Sequence, residues 1–108
     1  MGTQVDHAVV ASGDTLSGIV DVRNAAMLAI SVPTSIVSGN MFVQAAFNTT
    51  SANFHRLQNE AGSGDLLLAA GAGAKMFGVP LAAPVRFCRA QLSNAQTSPQ
   101  TLTFITKW

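Results

Sequence analysis

An alternation of apolar and polar residues, cut at short intervals by Gly, Asn, Ser or Pro, is the feature that most constrains the fold of this chain. Successive side chains of a β-strand point to opposite faces of its sheet, so this spacing predicts strands with one buried face. The apolar positions that recur at every second residue include Val20, Val22, Met41, Val43, Ala45, Phe47, Leu102 and Phe104. No helical periodicity lasts long enough to compete with this pattern.

Turn residues divide the chain into short segments that we interpret as strands. These segments are Val5–Ala11, Ser17–Val22, Ala26–Val32, Met41–Phe47, Phe54–Leu57, Leu66–Ala70, Met76–Val79, Val85–Leu92 and Thr101–Lys107. At 108 residues the chain is long enough for one modest core and too short for two. The sequence therefore predicts an all-β fold. We expect one domain, residues 1–108, forming a single small antiparallel β-sandwich, jelly-roll-like or immunoglobulin-like, of about seven or eight strands.

The inner faces of this sandwich are predicted from the same alternation. They should include Val20, Val22, Leu28, Ile30, Val43, Phe47, Leu102 and Phe104. Truncation of Phe47 or Phe104 to Ala would then cost about 3–5 kcal/mol, as it does for other buried Phe side chains. The segment Ala26–Val32 is apolar on both faces. This predicts either a central strand covered on each side or a strand that lies in a subunit contact.

The surface is expected to carry few charges. Hydrophobic residues make up 48% of the chain and charged residues 10%, whereas a free-standing domain usually carries roughly a quarter charged residues. Two interpretations stay open: a small β protein with neutral polar side chains outside, or a subunit whose surface is largely covered by neighbours. The composition favours the second, because unpaired charges in a covered surface cost desolvation.

Charge also limits the kinds of partner. The net charge is +1, so no strong field exists to attract nucleic acid or a membrane surface. Arg86 and Arg89 are the closest basic pair, with Lys75 upstream, which is too sparse for a groove that follows phosphates. Met1–Asp14 lacks a basic start followed by an apolar block, so no signal peptide is expected. No window approaches the ~20 apolar residues of a membrane helix, so we expect a soluble protein.

The residue types that carry catalysis or bind metals are scarce and scattered. Cys88 is the only cysteine, which excludes a disulfide within the chain and a cysteine-based zinc site, and it is expected to be a small buried apolar residue. His7 and His55 lie in separate elements, and no Gly-x-Ser-x-Gly elbow is present. The five carboxylates are expected in turns and on outward faces: Asp6, Asp14, Asp21, Glu60 and Asp65. The sequence therefore predicts no catalytic, cofactor or metal site and no enzymatic activity.

Several strings of the sequence resemble a family of small tailed-bacteriophage structural proteins. They run in order along nearly the whole chain, and they are Ser12–Asp21, Met27–Pro33, Phe42–Ala46, Asn53–Leu57, Val85–Arg89 and the closing Thr101–Thr103. The resemblance implies a virion component with a β-sandwich fold, similar to a head decoration or cement protein. It carries no enzymatic residues over to this chain.

The resemblance leads to a ranked set of functions. The first is a capsid decoration protein that is made in the host cytoplasm, binds the outer surface of the phage head and bridges capsomers. An alternative is a head–tail adaptor, tail or fibre-base protein of the same fold. An alternative of another class is a carbohydrate-binding β-sandwich module. The composition argues against that module, because such modules expose aromatic platforms and this chain has no Tyr and one Trp.

More apolar residues are present than one core can cover, which predicts contact patches. We expect a homo-oligomer, a dimer or trimer, or a protein ordered by the major capsid protein or another virion protein, and no cofactor. Too few charges are available for salt to weaken such contacts strongly. The candidate interface residues are Phe42, Glu60, Asp65, Lys75, Met76, Phe77 and Trp108.

Overall fold

The computed structural model of the protein describes residues 2–37, 39–58, 64–70, 75–80 and 85–108. Within these residues the chain forms nine strands and one turn of 3-10 helix, Ser51–Asn53. The strands are β1 (Thr3–Val10), β2 (Val20–Asp21), β3 (Met27–Val32), β4 (Gly39–Ala46), β5 (His55–Arg56), β6 (Leu68–Ala70), β7 (Lys75–Pro80), β8 (Phe87–Leu92) and β9 (Gln100–Lys107). Each of them overlaps one segment that the alternation predicts.

The strands form two antiparallel sheets. Sheet A has the order β1-β9-β3-β7, and sheet B has the order β2-β8-β4, with β5 and β6 both pairing with the edge of β4 that faces away from β8. When β5 and β6 are counted as one interrupted strand, the strand pairs are nested along the sequence. Strand β1 pairs with β9, β2 with β8, β3 with β7, and β4 with the interrupted strand. This nesting is the arrangement of a jelly roll. The all-β sandwich is confirmed, and of the two predicted topologies it has the jelly-roll one.

The core lies between the inner faces of sheets A and B. Ile30 and Phe104 from sheet A and Met41 and Val43 from sheet B are fully buried. The side chains alternate inwards and outwards along each strand, which is why the pattern located this face correctly. Seven of the eight residues predicted for the inner faces are buried, namely Val20, Val22, Leu28, Ile30, Val43, Leu102 and Phe104.

The prediction for Phe47 is wrong, because its side chain is 80% exposed. Strand β4 ends at Ala46, and Phe47 lies in the bend that follows. The side chain of Asn48 begins the turn by accepting a hydrogen bond from the backbone N–H of Thr50 at 3.1 Å. Asn side chains commonly form such turns, and the turn carries the chain out of the sheet before the alternation can place Phe47 inside.

The polar segment 93–100 is a crossover between the two sheets, because it connects β8 in sheet B with β9 in sheet A. Two buried glutamines hold this crossover. The Gln96 side-chain oxygen accepts from the N–H of Val37 at 2.9 Å, and that of Gln100 accepts from the Ser35 hydroxyl at 2.7 Å. Both bonds join the crossover to the loop after β3, and the sequence alone gives no sign of them.

No helix among the described residues is long and apolar enough to cross a membrane.

Candidate interaction surfaces

The outward side chains of sheet A form one of two contrasting surfaces, which we name face A. Strand register sets its membership, since residues opposite one another in neighbouring strands share a face. Face A consists of Thr3, Val5, His7, Val9, Met27, Ala29, Ser31, Met76, Gly78, Thr101, Thr103, Ile105 and Lys107.

The middle of face A is an apolar row that crosses all four strands. Val5 of β1 lies opposite Ile105 of β9, Ile105 opposite Ala29 of β3, and Ala29 opposite Gly78 of β7. The two small residues leave a shallow groove of about 230 Å³ beside Met27 and Ile105. The sheet therefore presents a largely apolar depression, with Lys107 as the one charged residue that lines it.

Face A is both exposed and nearly free of charge. Val5 is 55% exposed, Met27 54% and Met76 64%. Lys107 at its rim is the only Asp, Glu, Lys or Arg in the set that defines face A. Single exposed apolar residues are ordinary, whereas several on one sheet face make face A a candidate contact surface. The sequence predicts that the segment Ala26–Val32 is either covered on both faces or part of a subunit contact. Within the described part of the chain only its inner face is covered.

The outward side chains of sheet B form a polar network, which we name face B. It consists of Asp21, Asn40, Phe42, Gln44, Ala46, Arg56, Phe87, Arg89 and Gln91. Arg56 donates to Gln91 at 2.8 Å and to the Asp65 carboxylate at 2.9 Å, and its guanidinium lies 4.0 Å from the centre of the Phe42 ring. The charges of face B thus have partners within the chain.

Arg89 is the most unusual residue of face B, because it is only 8% exposed. It donates to the Gln44 side-chain oxygen at 2.6 Å and to the Ser51 hydroxyl at 3.1 Å, and its guanidinium lies 4.3 Å from the centre of the Phe54 ring. No carboxylate of the described residues pairs with it. Its charge is held by neutral hydrogen-bond acceptors and by an aromatic face.

Asp21 is expected to titrate below the usual range of an Asp side chain. The Arg86 guanidinium donates to both carboxylate oxygens, at 2.8 and 3.0 Å, and the Arg23 N–H donates at 3.1 Å. The hydrogen bond from Arg86 is the main cause that lowers the Asp21 pKa from 3.8. The stabilisation from this exposed pair is small. It is present above pH 3.8 and is lost as the pH falls through the lowered pKa.

NMR titration of the Asp21 carboxyl measures this shift. We expect Arg86→Ala to return the Asp21 pKa towards 3.8. An unchanged midpoint in the variant would contradict the assignment of Arg86 as the cause.

The predicted interface residues that the structure describes do not share one surface. Phe42 lies half-buried beneath Arg56 on face B, and Asp65 accepts from Arg56 and from Gln58. Met76 is exposed on face A, as expected. The indole N–H of Trp108 donates to the Arg23 carbonyl at 2.9 Å, which holds this side chain against the protein.

The expectation that Phe77 is exposed is wrong, because it is partly buried against the core. Its register partner in β3 is Ile30, which points inwards, so Phe77 packs against the core. Glu60 lies outside the described residues. Lys75 is the first residue of β7, and its side chain also lies outside what the structure describes.

The one cysteine is not placed for chemistry. Cys88 is fully buried in β8, and burial raises the pKa of its thiol to about 12. A thiol of that pKa is protonated at neutral pH and is a poor nucleophile. Among the described residues, no group of three His, Cys, Asp or Glu side chains could hold a metal ion.

A pocket at the end of β4 was missed by the sequence analysis. It has a volume of about 330 Å³ and is lined by Ala45, Ala46, Phe47, Asn48, Asn53 and His55. The Asn53 side-chain amide donates to Asn48 at 3.1 Å, which fixes one wall. The exposed ring of Phe47 forms another wall, so the pocket combines an aromatic surface with amide and imidazole groups.

Comparison with known proteins places the fold. No family model and no curated protein sequence matches the chain. The chain is a small jelly-roll β-sandwich, and solved structures share this fold. The SPBc2 prophage-derived protein YomS is 10% identical, with a TM-score of 0.59 over 98% of this chain and 95% of that chain. The K3 cleaved adhesin domain of Lys-gingipain from Porphyromonas gingivalis w83 is 12% identical, with a TM-score of 0.54 over 94% of this chain and 73% of that chain.

At these identities the two similarities show the fold alone. The resemblance to small tailed-phage structural proteins has no sequence-family match behind it.

Proposed function

We propose that the protein is a non-enzymatic structural component of a tailed-phage virion, a decoration protein that attaches to the outer surface of the head and bridges capsomers. The observation that carries the proposal is face A, an exposed, apolar and almost uncharged sheet surface. Such a surface suits a permanent contact with another protein. Removing its apolar area from water lowers the free energy, and few charges have to be desolvated.

The contrast between the two faces supports an orientation on the particle. Face A would lie against the capsid, with the groove between Met27 and Ile105 receiving an apolar side chain of the major capsid protein. Face B would face solvent, because its Arg56 and Asp21 already form ion pairs with Asp65 and Arg86, and its Arg89 already donates hydrogen bonds within the chain. Jelly rolls are frequent in viral capsid proteins, and YomS is a prophage-derived protein of this fold.

Binding of variants to phage heads that lack the protein tests this proposal. Ala29→Glu puts a carboxylate in the middle of face A, where the contact would bury it without a partner. We expect the number of bound copies to fall by at least about tenfold. Thr49→Glu, in the exposed bend after β4, adds the same charge elsewhere and should leave binding unchanged. Equal binding of Ala29→Glu and the unaltered protein would refute attachment through face A.

Attachment through face A is expected to resist salt. Salt screens charged contacts and leaves apolar contacts intact, and face A has a single charge at its rim. Purified virions should therefore keep the protein through a wash at high ionic strength. Release there, with retention at low ionic strength, would show that ion pairs hold it.

The copy number distinguishes the head from the tail. A decoration protein occupies many capsid sites, whereas a head–tail adaptor, tail or fibre-base protein occurs in few copies. On a gel of purified virions, the intensity of the protein's band relative to that of the major capsid protein gives the copy number. This ratio separates the two sites of attachment. Complete absence from the particles would refute the virion role itself.

Carbohydrate binding is a second candidate, favoured by the pocket at Phe47. Exposed aromatic rings stack on sugar rings, and amides such as those of Asn48 and Asn53 bond to hydroxyl groups. NMR titration with oligosaccharides tests this role. We expect shifts at His55 and Asn53 that Phe47→Ala abolishes, and the absence of shifts at millimolar sugar would exclude the role.

A further inference from the structure

Strand β1 has an edge where most backbone groups have no partner among the described residues. Neighbouring residues of a strand direct their N–H and C=O groups to opposite sides. The Gly2 carbonyl accepts from the N–H of Trp108 on the β9 side, whereas the Val9 carbonyl accepts from Gly18 on the other side. Even-numbered residues of this segment therefore direct their backbone groups towards β9. The odd-numbered residues Thr3, Val5 and His7 direct theirs away from it.

Those three residues form an edge of sheet A that no described residue covers. All three are exposed, and in the described part of the chain the only partner of β1 on this side is the segment at Ser17 and Gly18, beside Val9 and Val10. An edge of this kind is a template for another strand.

We propose that a second copy of this chain pairs with this edge in antiparallel fashion, with Val5 opposite Val5 of the second copy. The two copies of sheet A then become one continuous sheet. Thr3, Val5 and His7 of each chain exchange about six backbone hydrogen bonds with the other chain. This inference goes beyond the virion role and does not depend on it.

Side-chain charge selects this register. Centring the pair on Val5 puts Gln4 opposite Asp6 of the second copy, so that an amide meets a carboxylate. Centring the pair on Asp6 instead would place the two Asp6 carboxylates directly opposite each other. The two residues would form a non-hydrogen-bonded pair with Cα atoms about 4.5 Å apart. An inward-pointing charge in an edge strand usually discourages pairing. Within each chain the Gln4 amide already donates to the Asp6 carboxylate at 2.6 Å. In the Val5 register Asp6 also lies opposite a Gln4 amide of the second copy and not opposite another carboxylate.

Backbone geometry excludes the next register along the edge. Centring the pair on His7 would place Val5 opposite Val9 of the second copy, whose carbonyl already accepts from Gly18 at 3.1 Å. The Val5 register uses all three open residues and none that is occupied. It also continues the apolar row of face A, since Val5 stands next to Ile105 in each copy. This self-complementarity is the reason that the partner is a second copy and not an unrelated strand.

Cysteine cross-linking tests the register. Val5→Cys puts two thiols in a hydrogen-bonded pair with Cα atoms about 5.5 Å apart, within the range that a disulfide spans. We expect an interchain disulfide to form in Val5→Cys at least about tenfold faster than in Val9→Cys, which lies on the same strand and face and is 50% exposed. Cys88 is buried and stays out of the reaction. Equal rates in the two variants would overturn the register.

Sedimentation of the purified chain tests the pairing without an added thiol. We expect a dimer of the unaltered protein, monomers of Val5→Lys and of Val5→Glu, and a restored dimer when the two variants are mixed. Val9→Lys should remain dimeric. A monomer of the unaltered protein at high concentration, or a mixture that stays monomeric, would overturn the proposal. A monomer that still decorates heads would refute the pairing alone, and a dimer absent from virions would refute the virion role alone.

Discussion

Replacement of Phe104 by Ala is expected to lower the free energy of unfolding by about 3–5 kcal/mol. Phe104 is fully buried in β9, which pairs with β1 on one side and β3 on the other. Its ring faces the inner side of sheet B. Because β9 is hydrogen-bonded to a strand on each side, the backbone cannot move to fill the cavity that Ala leaves. Urea denaturation followed by circular dichroism measures the loss.

Phe47→Ala is the matched control for this experiment. The same atoms are removed, but from a ring that is 80% exposed, so we expect a change within about 0.5 kcal/mol. A loss below about 1 kcal/mol in Phe104→Ala would mean that Phe104 does not belong to the core. A large loss in Phe47→Ala would contradict the end of β4 at Ala46.

Replacement of Arg89 by Ala is expected to cost about 2 kcal/mol of unfolding free energy. The side-chain oxygen of Gln44 is buried with Arg89 and would lose its donor. The ring of Phe54 would also lose the guanidinium that covers it at 4.3 Å. Thermal and urea unfolding of the variant measure the sum of these effects.

Arg89→Met separates packing from hydrogen bonding. A Met side chain can still cover Phe54 but cannot donate to Gln44, so we expect it to cost less than Ala. Equal losses in the two variants would assign the whole effect to the hydrogen bonds. No loss in either variant would contradict the structural role of Arg89.

Alternation allowed the sequence to predict the strands and most of the inner faces. This succeeded for Val43, Leu102 and Phe104 because a strand with one buried face has a period of two residues. It failed at Phe47 because the pattern cannot show where a strand stops. It failed at Phe77 because the flanking Gly and Pro obscure the alternation, and only pairing with Ile30 shows that the ring points inwards.

The candidate surfaces were harder to predict, since they depend on which strands become neighbours. Val5, Ala29 and Ile105 are far apart in sequence, and only the order of sheet A brings them into one row. Arg89 looks like an outward charge in the sequence. It is buried because Phe54 and Ser51, from the segment after β4, fold over it.

The position of β9 has a consequence for folding. Of the described strands it comes last along the sequence, yet in sheet A it lies between β1 and β3. Within the described residues these two strands pair with β9 and not with each other, so sheet A forms only when this distant segment pairs with both of them. Pairing of such distant segments makes folding slow, on a scale of milliseconds to seconds. Throughout that interval the apolar sides of β1 and β3 are open to other chains, and this is the period in which a chaperone would protect the protein most.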